Sequence, residues 1–147
     1  MQTNGTMTQA PQDMLTAMAL DALDALGTAE TNYALAIDAA TRANRTKRET
    51  EQAFKDAESE LTWELMQSEA YAACKNAETR KAYLDAAMVK ARKGERPEHY
   101  VYATAWGLYQ NAINEDANAQ MAQEQTRKAM HAAQYRVDLI ASLARGH

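Results

Sequence analysis

The chain predicts an all-α protein, and two observations carry that prediction. Of its 68 hydrophobic residues 32 are alanine, whereas Val and Ile number three each and Pro only two in 147 residues. Alanine is the strongest helix former, and a sheet core draws on β-branched and aromatic side chains, so a β-sandwich, barrel or α/β sheet is disfavoured. The second observation is periodicity. Apolar residues recur three or four apart over long stretches, the spacing of one helix face.

The elements follow in order. Residues 1–11 are polar and Thr/Gln-rich and are expected to be disordered, ahead of one helical domain over 12–147. From Gln12, Leu15, Ala19, Ala22, Leu26, Ala29, Tyr33, Ala36 and Ala40 form one stripe, giving a helix over 12–41. Gly27-Thr28 is a weak point within it, either a break or a mere lapse in an unbroken helix. A second helix is expected over about 46–74, with Phe54, Ala57, Leu61, Leu65, Ser68 and Ala72 as its stripe. Asn76 reads as the N-cap of a third over about 77–92, with Glu78 in its first turn. Lys93-Gly94-Glu95-Arg96-Pro97 is the clearest break, Gly94 suiting a C′ position and Pro97 a first helical turn. The last helix, about 98–144, would be roughly 70 Å long.

Heptads counted from Val101 place Val101, Leu108, Glu115, Ala122, Ala129, Arg136 and Leu143 on one row. Ala105, Ala112, Ala119, Thr126, Ala133 and Ile140 fall on the other, and ten of these thirteen are apolar, a coiled-coil seam. Val101, Leu108, Ala112, Ala119, Ala133 and Ile140 are therefore the expected protein-interface residues. An alanine methyl buries only about 0.8 kcal/mol, so a seam this rich in alanine points to association into a homo-oligomer.

Motifs for catalysis are missing. The chain has no Gly-rich phosphate loop, no G-x-S-x-G and no H-E-x-x-H. His99, His131 and His147 are scattered, and Cys74, flanked by alanine, reads as a packing residue. Glu60 and Glu64 are one turn apart, but the Glu-x-x-His pairs of a di-iron bundle are absent, leaving solvated helix surface. A non-enzyme without metal or cofactor is expected. No apolar run approaches the roughly 18 residues of a membrane span, and residues 1–11 lack the features of a secretory signal, so a cytoplasmic location is expected, the host cytoplasm if the chain is phage-encoded.

Charge is unevenly distributed. Net charge is −4, yet residues 1–41 hold Asp13, Asp21, Asp24, Glu30 and Asp38 and no Lys or Arg. Arg42, Arg45, Lys47 and Arg48 follow at once as one basic cluster. A second runs through Lys75, Arg80, Lys81, Lys90, Arg92, Lys93 and Arg96 against Glu78, Asp85 and Glu95, a local +4. Tyr83, Tyr100, Tyr102, Trp106 and Tyr109 lie in or just beyond it. Cations neutralise phosphates and exposed aromatic faces stack on unpaired bases, a combination that fits single-stranded nucleic acid. At helical spacing, Tyr102, Trp106 and Tyr109 equally suit a core or subunit interface. The candidate contacts are Lys75, Arg80, Lys81, Lys90, Arg92, Lys93, Arg96 and Tyr100.

The run Ala77-Glu78-Thr79-Arg80-Lys81-Ala82-Tyr83-Leu84, a short basic connector, and an Ala-rich helix ending Tyr135-Arg136-Val137-Asp138-Leu139-Ile140-Ala141-Ser142-Leu143 resemble phage recombination mediators of the UvsY type over about residues 50–147. The resemblance implies an oligomeric helical protein that binds single-stranded DNA and helps load a recombinase, with Arg80, Lys81, Lys90, Arg92 and Lys93 as DNA contacts. Two other readings stand beside it. One is a protein-only module, such as a phage inhibitor of a host or defence factor, acting through the acidic first helix. The other is a structural or scaffold virion protein.

Overall fold

A computed structural model describes residues 2–146, with side chains from Ala10 onward. It is all-α: four helices, α1 (Gln2–Met66), α2 (Glu69–Ala72), α3 (Ala77–Ala91) and α4 (Tyr100–Arg145), with a 3₁₀ turn at Pro97–His99 and no strand among the described residues. The expected disordered tail falls for the most part on residues whose side chains lie outside this description. Ala10 and Pro11, its last two residues, belong to α1 and are exposed.

The two helices expected over 12–41 and 46–74 are one. The stripe from Leu15 to Ala40 continues without a phase change through Ala43, Lys47, Thr50, Phe54, Ala57, Leu61 and Leu65, all buried or half-buried. A stripe that keeps its 3,4 spacing gives the chain no reason to turn at 41–46. Gly27 does not end a helix either. The Thr31 hydroxyl donates to the Gly27 carbonyl at 3.0 Å inside an unbroken α1. The true end lies at Met66, eight residues before the expected one. There Ser68 takes an extended backbone, accepts the Tyr71 N–H at 3.2 Å and caps the short α2.

Asn76 caps α3 as expected. Asn76 accepts the Thr79 N–H at 2.9 Å while the Thr79 hydroxyl accepts the Asn76 N–H at 3.2 Å, a reciprocal capping box. After Arg92 the chain turns through Gly94, whose φ of +66° belongs to the left-handed region. Any Cβ built on Gly94 would stand 3.2 Å from the Ala103 Cβ, so a close approach to α4 adds a second demand for glycine. Pro97 opens the 3₁₀ turn, where its missing N–H costs nothing.

The seam on α4 is rotated from the expected one. Tyr102, Ala105, Tyr109, Ala112, Asp116, Ala119, Gln123, Thr126, Met130, Ala133, Val137 and Ile140 are all buried or half-buried. The row Ala105 to Ile140 is thus as expected, but Val101, Leu108, Glu115, Ala122, Ala129, Arg136 and Leu143 are all exposed, and the second row stands one residue later. Two tyrosines decide the phase. Burying Tyr102 and Tyr109 removes more apolar area than burying Val101 and Leu108, and the rotation also returns Arg136 to water. Ala112, Ala119, Ala133 and Ile140 accordingly face inward within their own chain.

The chain divides into two compact units, Met1–Ala40 with Asn118–His147 (unit 1) and Thr41–Ala117 (unit 2). In unit 2, Ala57 and Leu61 of α1, Met88 and Ala91 of α3, and Tyr102 and Ala105 of α4 form one buried cluster, with Phe54 and Leu65 packed against it. Phe54 stacks between Tyr102 and Tyr109, its centroid 5.6 Å from each. Lys47 reaches Asp116 at 3.4 Å, so an advance of one heptad along α1 is a retreat of one along α4, and the helices are antiparallel. In unit 1, Asp21 pairs with Arg136 at 2.7 Å and Tyr33 lies within electrostatic reach of Arg127, again antiparallel.

Candidate nucleic-acid interface

All eight expected contacts lie in unit 2, on α3, its two flanking turns and the first residue of α4. Lys75 precedes the Asn76 cap. Arg80 and Lys81 stand on the first turns of α3, and Lys90 on its last. Arg92 and Lys93 follow the helix end, and Arg96 and Tyr100 bracket the 3₁₀ turn. Of the seven bases all but Arg92 are exposed, and Tyr100 is 52% exposed.

The geometry sorts these residues into three groups. Arg92 is used for structure: its Nε donates to the Tyr102 hydroxyl at 3.1 Å, and its guanidinium lies 5.7 Å from the Trp106 ring centre. The bond gives the buried Tyr102 oxygen a donor, and the stacking takes up the cation's remaining face. Two more cations are partly engaged. Arg80 lies 5.9 Å from the centre of the Tyr71 ring, and Arg96 pairs with Glu98 at 3.5 Å, both groups well exposed. Exposed pairs of that kind are weak and readily exchanged for a phosphate. Lys75, Lys81, Lys90 and Lys93 have no ion pair among the described residues.

These lysines do not form one row. At about 100° per residue, Lys81 and Lys90 are about 180° apart around α3, on opposite flanks of the buried stripe Leu84, Ala87, Met88 and Ala91. On the Lys90 flank the bases converge. Lys90, Arg96 and His99 line a surface hollow of about 310 Å³ floored by Leu65, Ala87 and Tyr83. The Tyr83 hydroxyl is hydrogen-bonded to Ser68 at 3.1 Å, while Ser68 also donates to the Leu65 carbonyl at 2.6 Å, so the tyrosine is held at the hollow by the end of α1.

Sequence reasoning placed Tyr83 among the aromatics of the basic stretch but missed His99 as a member of this hollow. Lys90 and Arg96 were visible as charges, but the Pro97 turn that folds His99 back beside them, and the end of α1 beneath, come from distant segments. The aromatics largely serve packing: Tyr102 is buried, and Trp106 and Tyr109 are half-buried against Arg92 and Phe54. In the other basic cluster Lys47 is spent on Asp116, leaving Arg42, Arg45 and Arg48 exposed. Glu60 and Glu64 are exposed beside Trp63, which is 65% exposed, and no group of three metal-ligating residues exists among the described residues.

No known family, curated protein or solved structure matches this chain. No helix among the described residues is long and apolar enough to cross a membrane.

Proposed function

We propose that this chain is a non-enzymatic helical accessory protein that binds single-stranded nucleic acid along the Lys75 to Arg96 segment of unit 2. Assistance to a recombinase on single-stranded DNA is the process that its resemblance to phage mediators implies. One observation carries the reading. Six of the seven bases in this segment are exposed, and five of them, Lys75, Arg80, Lys81, Lys90 and Lys93, stand without an ion pair among the described residues. Lysines employed to stabilise a fold are commonly paired across helix turns, as Lys55 is with Glu51 at 2.9 Å. A run of unneutralised cations costs self-repulsion and is repaid when a polyanion sheds its counterions on them. Tyr83 lines the hollow beside Lys90, and Tyr100, exposed at the start of α4, offers a second aromatic face for stacking.

The test is fluorescence polarisation of labelled oligo-dT across a salt series. With about four phosphates engaged, log K should fall against log salt with a slope near −3. Lys90→Ala combined with Lys93→Ala should reduce the slope by one to two, whereas Arg92→Ala should act mainly through stability. Absent or salt-insensitive binding overturns the reading.

A further inference from the structure

Unit 1 hides very little of its own apolar surface. Among the described residues its buried apolar side chains are Ala22, Ala40 and Ile140, two of them alanines. Against these stand Met14, Leu20, Leu23, Leu35, Leu139 and Leu143, all exposed. Of these, Leu23 lines the space between the two helices. Between the two helices of unit 1 runs a groove of about 490 Å³, lined chiefly by Leu15, Ala19, Leu23, Val137, Ile140 and Ala144. In unit 2 the space beside α1 and α4 is filled by α3, whose Met88 and Ala91 join the buried cluster. Unit 1 has no third helix among its described residues.

Charge identifies the occupant. The α1 half of unit 1 carries Asp13, Asp21, Asp24, Glu30 and Asp38 with no Lys or Arg. Its α4 half carries Arg127, Lys128, Arg136 and Arg145 against Glu124 and Asp138, a net +2. Within the chain a single ion pair, Asp21 to Arg136, joins the two sets among the described residues. Arg127 is held by Glu124 of its own helix, so Asp13, Asp24, Glu30 and Asp38 on α1 and Lys128 and Arg145 on α4 are left without an ion pair among the described residues, opposite charges on the two helices.

We infer that the occupant is a second copy of this chain. The two unit 1 grooves face each other about a two-fold axis along the helices, with α4 of one copy lying over α1 of the other. All neighbouring helices are then antiparallel, the acidic helix meets the basic one across the interface, and the Leu23 side chains are enclosed by a four-helix bundle. This assembly does not rest on nucleic-acid binding by unit 2.

Light-scattering mass of the full chain, read across micromolar concentrations, tests it. The expected mass is twice that of the chain, dissociating on dilution. Leu23→Glu should raise the dissociation constant at least about 100-fold, since it places a charge in the closed groove. Asp13→Lys with Asp24→Lys, which leaves the apolar lining intact, should raise it about 10-fold. Val101→Glu, on an exposed position of unit 2, should leave it unchanged. A monomer at every concentration overturns the proposal, as does a larger assembly or a dimer that Leu23→Glu leaves intact and Val101→Glu breaks. So does a monomer whose groove variants instead abolish binding to a different protein.

Discussion

At the residue scale the telling position is Asp116. It is 3% exposed, in the middle of the α4 seam, and it holds Lys47 from the facing helix. Beyond the stack of Phe54 on Tyr102 and Tyr109 the seam is made largely of small and polar side chains, so packing there distinguishes one register from the next only weakly. A charged pair at one level makes every other register bury an unmatched charge, the best-attested use of polar groups in coiled seams. Asp116→Ala should therefore cost about 2 kcal/mol, less than a fully buried pair because the Lys47 side chain keeps a third of its surface in water. Urea unfolding with an unchanged m-value would check it. Glu124 shows the milder surface case. Its hydrogen bonds to Arg127 hold its carboxyl below the ordinary glutamate range. A depressed folded value contributes stability above the unfolded pKa and loses it as pH falls through the folded one. Glu124→Gln should thus lower the melting temperature slightly at neutral pH, with the difference vanishing well below pH 4.

At the element scale the glycines separate helix interior from helix end. Gly27 lies within α1 with open space where a Cβ would project, so its only effect is the entropy it adds to the unfolded chain. Gly27→Ala should stabilise by about 0.5–1 kcal/mol. Gly94 has φ +66° and Ala103 at 3.2 Å from a built Cβ, so Gly94→Ala should destabilise by about 1–2 kcal/mol or more. Thermal melts of the two variants, shifting in opposite directions, check both. The same elements show what local signals can reveal. The Asn76 cap and the Gly94-Pro97 break were legible because each acts through chemistry inside a few residues. The end of α1 was not, because the 3,4 stripe runs on from Leu65 to Ser68 and Ala72 after the helix has stopped at Met66. The hydrogen bond that ties Ser68 to Tyr83 depends on α3.

At the scale of the whole molecule, the two units differ in how much they bury. Unit 2 has three helices around a cluster with Leu61, Met88 and Tyr102, and unit 1 has two helices and an open groove. Amide hydrogen exchange should show greater protection around Leu61 and Ala105 than around Ala22 and Val137 in dilute solution. Protection of the second pair should then rise with protein concentration if a second copy covers the groove, while that of the first stays level. The candidate nucleic-acid segment lies wholly in unit 2, so Lys90, Arg96 and His99 belong to the unit that holds the buried cluster.

Composition and periodicity by themselves determined the all-α class, the stripe on α1, the α3 cap and the break at Gly94. Helix propensity and capping are energies of neighbouring residues, and no distant partner is needed to read them. Only the tertiary structure decided that the helices expected over 12–41 and 46–74 join into one that stops at Met66, and that α4 turns Tyr102 and Tyr109 inward and Val101 and Leu108 outward. It also decided that Arg92 braces a tyrosine while Lys90 joins Arg96 and His99. Two rows on an alanine-rich helix are almost equally apolar, so their periodicity cannot choose between them. The choice falls to the facing helix, where Phe54 offers two tyrosines a ring to stack on and Lys47 offers Asp116 a charge.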